Sequence, residues 1–154
     1  MGGPVKHTAW LVAVLAGCAA GTKSSEDYMR KAIQTDNAPK PIGPYSQGIL
    51  ADDFIFLAGQ GPTNPATGKV EYGDVASETK RTFENMKAIL EAAGSSLDKV
   101  LRCNVYLKDI NDFAAMNQVY ATYFAEPYPA RSTVQVARLP KDARVEIDLI
   151  AMAG

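Results

Sequence analysis

Apolar positions along this chain fall into two rhythms. From Val75 onward Thr79, Phe83, Met86, Leu90 and Ala93 recur at spacings of three and four, with Ile89 widening the stripe. That period predicts an amphipathic helix, which Gly94 is suited to end. Immediately afterwards the period drops to two: Leu101, Cys103, Val105 and Leu107 alternate with Arg102, Asn104 and Tyr106, the pattern of a strand with unlike faces over Val100–Leu107. A second helix is predicted from about Asp112 to Ala125, with Phe113, Met116, Tyr120 and Phe124 on its buried stripe, Asn117 and Tyr123 beside it, and Asn111 as an N-cap. Phe54–Ala58 is a short apolar run that reads as a buried strand, and Gly48–Ala51 is placed to pair with it across Asp52-Asp53. The proline-rich stretch 38–47 and the glycine- and proline-rich stretch 59–68 read as loops.

Two strands close the chain. One begins at Arg131, and the other, from Arg144 to Ala151, sets Arg144, Glu146 and Asp148 on one face against Val145, Ile147, Leu149 and Ala151 on the other. On this reading Arg131 and Glu146 lie beside each other in a C-terminal strand pair. Two helices can cover one face of a small sheet, so the pattern predicts a single α+β domain, a two-layer sandwich. The second sheet face mixes apolar and polar groups and is expected to be covered by association with other chains.

The first thirty residues follow neither rhythm. Lys6 and His7 precede an apolar run ending at Leu15-Ala-Gly-Cys18, too short to span a bilayer but of signal-peptide length. The ending looks like the lipobox of bacterial lipoproteins. Residues 1–17 are therefore expected to be a signal peptide, Cys18 the lipidated residue, 18–31 a flexible tether and 32–154 the folded domain, exported to the bacterial periplasm or envelope. The competing reading is an uncleaved apolar N-terminus with Cys18 there by chance.

Composition narrows the chemistry. The chain has 154 residues, 47% hydrophobic and 21% charged, with a net charge of -1, so it lacks the basic face that nucleic acid would select. Cleavage before Cys18 would remove the single histidine, and with it the commonest metal ligand and catalytic base. No metal and no cofactor is expected. Of the two cysteines, lipidation of Cys18 would leave Cys103 alone, on a buried strand face where a core thiol is the simpler reading than a nucleophile.

Among candidate site residues, Arg131 offers a rigid fork of donors matched to a carboxylate. An ion pair on the surface or at an interface would use it equally. Glu146 is either a site carboxylate or part of a solvated strand face. Tyr45, in the constrained Gly43-Pro-Tyr-Ser-Gln loop, either presents a phenol to a ligand or packs on the domain. Asn117, at the edge of an apolar stripe, must hydrogen-bond a backbone group or a ligand if it is buried.

Six blocks occur in an order that resembles one family: Ile42-Gly-Pro-Tyr-Ser-Gln-Gly, Ala58-Gly-Gln, Asn85-Met-Lys-Ala-Ile-Leu-Glu-Ala-Ala-Gly, Val105-Tyr-Leu-Lys-Asp-Ile-Asn-Asp-Phe, Pro129-Ala-Arg-Ser, and Leu139-Pro-Lys-Asp-Ala-Arg-Val-Glu-Ile-Asp-Leu-Ile-Ala. These resemble the reactive intermediate deaminases, also called RidA or YjgF, over about residues 31 to 152. The resemblance implies a chorismate-mutase-like fold assembled as a homotrimer with ligand sites in clefts between subunits. It also implies hydrolysis of enamines and imines such as 2-aminoacrylate to 2-keto acids and ammonia. Arg131 would then clamp the substrate carboxylate and Glu146 position or activate the water, with Tyr45, Gly59 and Asn117 lining the cleft. Thr133 departs from the pattern, standing where close relatives often have cysteine, and would give the substrate pocket a different polarity. The stretch from Glu126 to Arg131 also looks shorter than in some relatives. The alternative to an enzyme is a binding or sensing module for small carboxylates, or a holdase for unfolded partners.

Overall fold

The computed structural model of the protein describes residues 30–154. The expected signal peptide, the lipid site at Cys18 and nearly all of the tether lie outside the described residues. Arg30 and Lys31, assigned to the tether by sequence, belong instead to the first strand, β1 (Arg30–Ile33). That strand escaped the pattern because it is four residues long and only Ile33 is buried.

β1 pairs antiparallel with β2 (Gly48–Ala51), and β2 with β3 (Phe54–Gln60) through a turn in which Asp52 adopts φ 49°. The chain then forms α1 (Val75–Ala92), β4 (Val100–Leu107), α2 (Phe113–Tyr120), β5 (Ala130–Gln135) and β6 (Val145–Met152). Asp74 starts α1 by accepting a hydrogen bond from Ser77 N–H at 2.8 Å. Gly94 follows its last turn at φ 73°, a conformation that glycine adopts without Cβ strain, and Ser95 N–H then donates back to Leu90 C=O.

The six strands form one mixed sheet in the order β1-β2-β3-β6-β4-β5. β6 runs antiparallel to both its neighbours, while β4 and β5 are parallel and joined through α2. The C-terminal strands are therefore not a pair. β6 enters the gap between β3 and β4, and β5 is left on the outer edge.

Both helices pack on one face, giving the α+β two-layer arrangement expected from the sequence. Ile55, Phe83, Met86, Ile89, Leu90, Val105, Leu107, Met116 and Ile147 are fully buried between the layers. Each such large apolar side chain contributes on the order of 2 kcal/mol by leaving water. The second helix is shorter than predicted. A 3-10 turn at Ile110–Asp112, capped by Asp109 rather than Asn111, precedes α2, and the chain turns after Tyr120. Phe124 still packs in the core, so the apolar stripe outruns the helix. Among the described residues no helix is long and apolar enough to cross a membrane.

Candidate active site

Register decides where the candidate residues point. Arg131 pairs with Cys103, whose side chain is buried under the helices, whereas Glu146 pairs with Tyr106 on the face that no helix covers. Residues opposite one another in paired strands share a face. Arg131 and Glu146 therefore project from opposite sides of the same sheet, with β4 between their strands, and do not lie beside each other.

Glu146 opens into a cavity of about 560 Å³ that Tyr45, Gly59, Pro62 and Lys141 also line. Gly59 is what gives it room. A Cβ at Gly59 would stand 2.9 Å from the Glu146 carboxyl carbon and collide with Oε1. The register between β3 and β6 slips between Leu57 and Gln60, which sets Gly59 under the carboxylate. Burial, and then the nearby Asp148 charge, push the Glu146 pKa up, favouring the form that holds a proton.

Buried polar side chains tie the surrounding loops. Gln47 donates from Nε2 to the carbonyls of Thr35, Ala38 and Pro39 at 2.9–3.1 Å and accepts from Thr35 N–H, fixing the loop that carries Tyr45. Tyr45 is half exposed, and its phenol oxygen accepts a bond from Ile42 N–H at 3.3 Å. Asn85 donates to Gly61 and Thr63 carbonyls and secures the opposite wall. The Glu78 carboxylate, 1% exposed, accepts from Arg144 N–H at 2.7 Å and Gly73 N–H at 3.3 Å, setting the chain's entry into β6. These residues were not assigned a role from sequence. Glu78, Thr82, Asn85 and Ile89 do form a helical row beside the apolar stripe, and polar residues in such a row are the signal that could have found them.

A second hollow, of about 410 Å³, is lined by Asn117, Tyr120, Tyr128, Pro129 and Arg131. The Arg131 guanidinium lies 4.4 Å from the centre of the Tyr120 ring and 5.6 Å from that of Phe113. Among the described residues it makes no ion pair and no hydrogen bond, so its charge is without a counter-ion. Asn117 sits on the same rim. Thr133 shares the Arg131 face one step along β5 but does not line the hollow, and its buried Oγ1 has no partner.

Cys103 lies on the same face as Arg131, yet burial outweighs that charge and pushes its thiol up to about 11. The thiol is a core group. Among the described residues no cluster of three or more His, Cys, Asp or Glu is placed to hold a metal ion.

Comparison with known proteins covers the same region. A family model described as endoribonuclease L-PSP matches residues 35–153. A RutC family protein of Pyrococcus horikoshii is 58% identical over 123 residues, 80% of this chain and 98% of that protein. The 2-iminobutanoate/2-iminopropanoate deaminase of Escherichia coli K12 is 47% identical over 127 residues, with coverage of 80% and 98%. Among solved structures, the Escherichia coli YjgF gene product superposes with a TM-score of 0.75 at 47% identity, over 79% of this chain and 98% of that one. Escherichia coli TdcF with bound serine does so with a TM-score of 0.76 at 45% identity, over 80% and 99%.

Proposed function

The chain belongs to the endoribonuclease L-PSP family, the RidA/YjgF group to which its motif blocks pointed, and from that premise we propose that it hydrolyses reactive 2-enamine and 2-imine acids of the 2-aminoacrylate kind to 2-keto acids and ammonia. The observation that carries the reading is the pair of complementary half-sites: an arginine that has no counter-ion among the described residues in one hollow, and a desolvated carboxylate seated over a glycine in the other. Relatives named for this deamination at 47–48% identity support the same class of substrate.

In this reaction Arg131 holds the substrate carboxylate and thereby fixes the C=N carbon. Glu146 accepts a proton from water as the water oxygen bonds to that carbon, and passes a proton to the nitrogen. The carbinolamine hydroxyl then gives its proton to Glu146, which passes it to the nitrogen, and the C–N bond breaks as the carbonyl forms and ammonia leaves. An enamine first takes a proton at its β-carbon to become the imine. The imine carbon is already electrophilic, so orientation and one placed base suffice. Tyr45 and Asn117 border the two halves.

Because the halves face opposite sides of one sheet, one chain does not hold a substrate between them. We therefore place the working site between copies in a homotrimer, three sites to an assembly. The open sheet face supports this: Phe54, Phe56 and Met152 stand 36–45% exposed beside Asp148, which accepts bonds from Asn104 at 2.7 Å and Tyr106 at 2.9 Å. Export and lipid attachment at Cys18 remain part of the proposal. Under it, Cys18→Ser abolishes lipid labelling, and a labelled variant rejects it.

The catalytic test generates 2-imino acids in situ with an amino-acid oxidase and follows semicarbazone formation. The protein should compete with semicarbazide and lower the yield, Arg131→Ala should remove that effect, and an unaltered yield with wild type rejects the activity for those substrates.

A further inference from the structure

We infer that Tyr120 is the residue that positions the Arg131 guanidinium, holding it by its ring face so that its N–H donors stay unspent for a ligand. The inference rests on the reading of Arg131 as the carboxylate clamp. An arginine side chain is long and flexible, and the usual way to fix one is an ion pair with a protein carboxylate, which would then compete with an anionic ligand. Here no acid does so: among the described residues the guanidinium meets no carboxylate, and its close neighbours are the rings of Tyr120 at 4.4 Å and Phe113 at 5.6 Å. A ring face attracts the cation through its quadrupole without accepting a conventional hydrogen bond from it, so the N–H donors are left for a ligand.

Tyr120 is built to be a fixed platform. It is 4% exposed and packs with Phe124 at 4.7 Å and edge-to-face with Phe83 at 5.6 Å between ring centres. Phe113, in contrast, is 40% exposed, so the more rigid of the two rings is also the nearer one. The Tyr120 hydroxyl takes no part in holding the arginine: it is buried, its polar neighbour is the Cys103 thiol, and among the described residues it makes no hydrogen bond to Arg131. The ring, not the phenol, is therefore the functional part, and this separates positioning from phenol chemistry.

The experiment titrates 2-oxobutanoate, a carboxylate product, into wild type, Arg131→Ala, Tyr120→Phe and Tyr120→Met by calorimetry, and records the Arg131 side-chain Nε–H resonance. Wild type and Tyr120→Phe should bind within about 2-fold of each other, and Tyr120→Met should weaken binding by about 2- to 30-fold, the range of a cation–π contact. In turnover the loss should fall on KM with kcat largely kept. The Arg131 proton should be shifted upfield by the ring current in wild type and Tyr120→Phe, and lose that shift in Tyr120→Met. Equal affinity of Tyr120→Met and wild type, with binding lost in Arg131→Ala, overturns the inference alone. Binding that Arg131→Ala leaves unchanged, or no binding by wild type, overturns the clamp and this inference with it. Should Tyr120→Met not fold, the wild-type resonance decides: an Arg131 proton without a ring-current shift overturns the inference.

Discussion

Under the proposed reaction Glu146 is a proton acceptor, and it is also a group whose ionised form the fold resists. Burial and Asp148 raise its pKa, so the folded protein binds this proton more tightly than the unfolded chain does. The associated stability is present below the unfolded value, near about 4.3, and is lost as pH rises through the higher folded value. Glu146→Gln, which keeps the shape without the charge, should raise the melting temperature at about pH 7.5, and the difference should close below about pH 4. Activity should fall by about 100-fold or more, the usual contribution of a placed general base. A variant melting no higher than wild type at neutral pH would contradict the desolvation account. Gly59 is the counterpart of that carboxylate. Gly59→Ala would set a methyl against it, and should turn the base aside at little cost in stability because the end of a flexible side chain yields, read as a loss of kcat with the melting temperature and far-ultraviolet circular dichroism retained.

Local pattern made the elements legible and left their neighbours hidden. The period of α1, the alternation of β4 and β6 and the loop character of 61–68 depend on contacts within a few residues and were readable from the chain, while Gly59 and Gln60, expected in that loop, extend β3. Which strand lies beside which is a different kind of fact, because β6 chooses the gap between β3 and β4 through contacts roughly forty to a hundred residues away in sequence. That choice put Arg131 and Glu146 on separate strands and opposite faces, where adjacency in sequence suggested a pair. Motif resemblance pointed to Tyr45, Gly59 and Asn117 without geometry, whereas the buried brackets act through backbone carbonyls and amides: the polar row on α1 hints at Glu78 and Asn85, and no side-chain pattern displays Gln47. Gln47 is the clearest case, since one side chain holds three carbonyls and one amide of the Tyr45 loop. Gln47→Ala should destabilise the fold by about 3 kcal/mol in chemical denaturation, because those groups lose a partner inside the protein. It should also raise KM more than it lowers kcat; unchanged stability would mean that water replaces the side chain without penalty.

At the scale of the molecule, the proposed reaction needs one copy to supply Arg131 and another to supply Glu146, because the two hollows open on opposite faces of one sheet. The requirement can be tested without knowing the interface. Arg131→Ala chains lack the clamp but keep the base, and Glu146→Gln chains keep the clamp but lack the base, so each alone should be nearly inactive. Coexpressed in equal amounts under two affinity tags and purified through both, they form mixed assemblies. In these, some clefts receive a sound Arg131 from one chain and a sound Glu146 from the other. Random assembly in a ring gives each cleft an even chance of either chain on either side, so about one quarter of the clefts should be intact. Selecting mixed assemblies raises that share slightly. Had both groups acted from one chain, every cleft would hold one defect and mixing would restore nothing. Recovery of about a quarter or more of wild-type deaminase activity supports the shared cleft, and activity no higher than that of the parent variants rejects it.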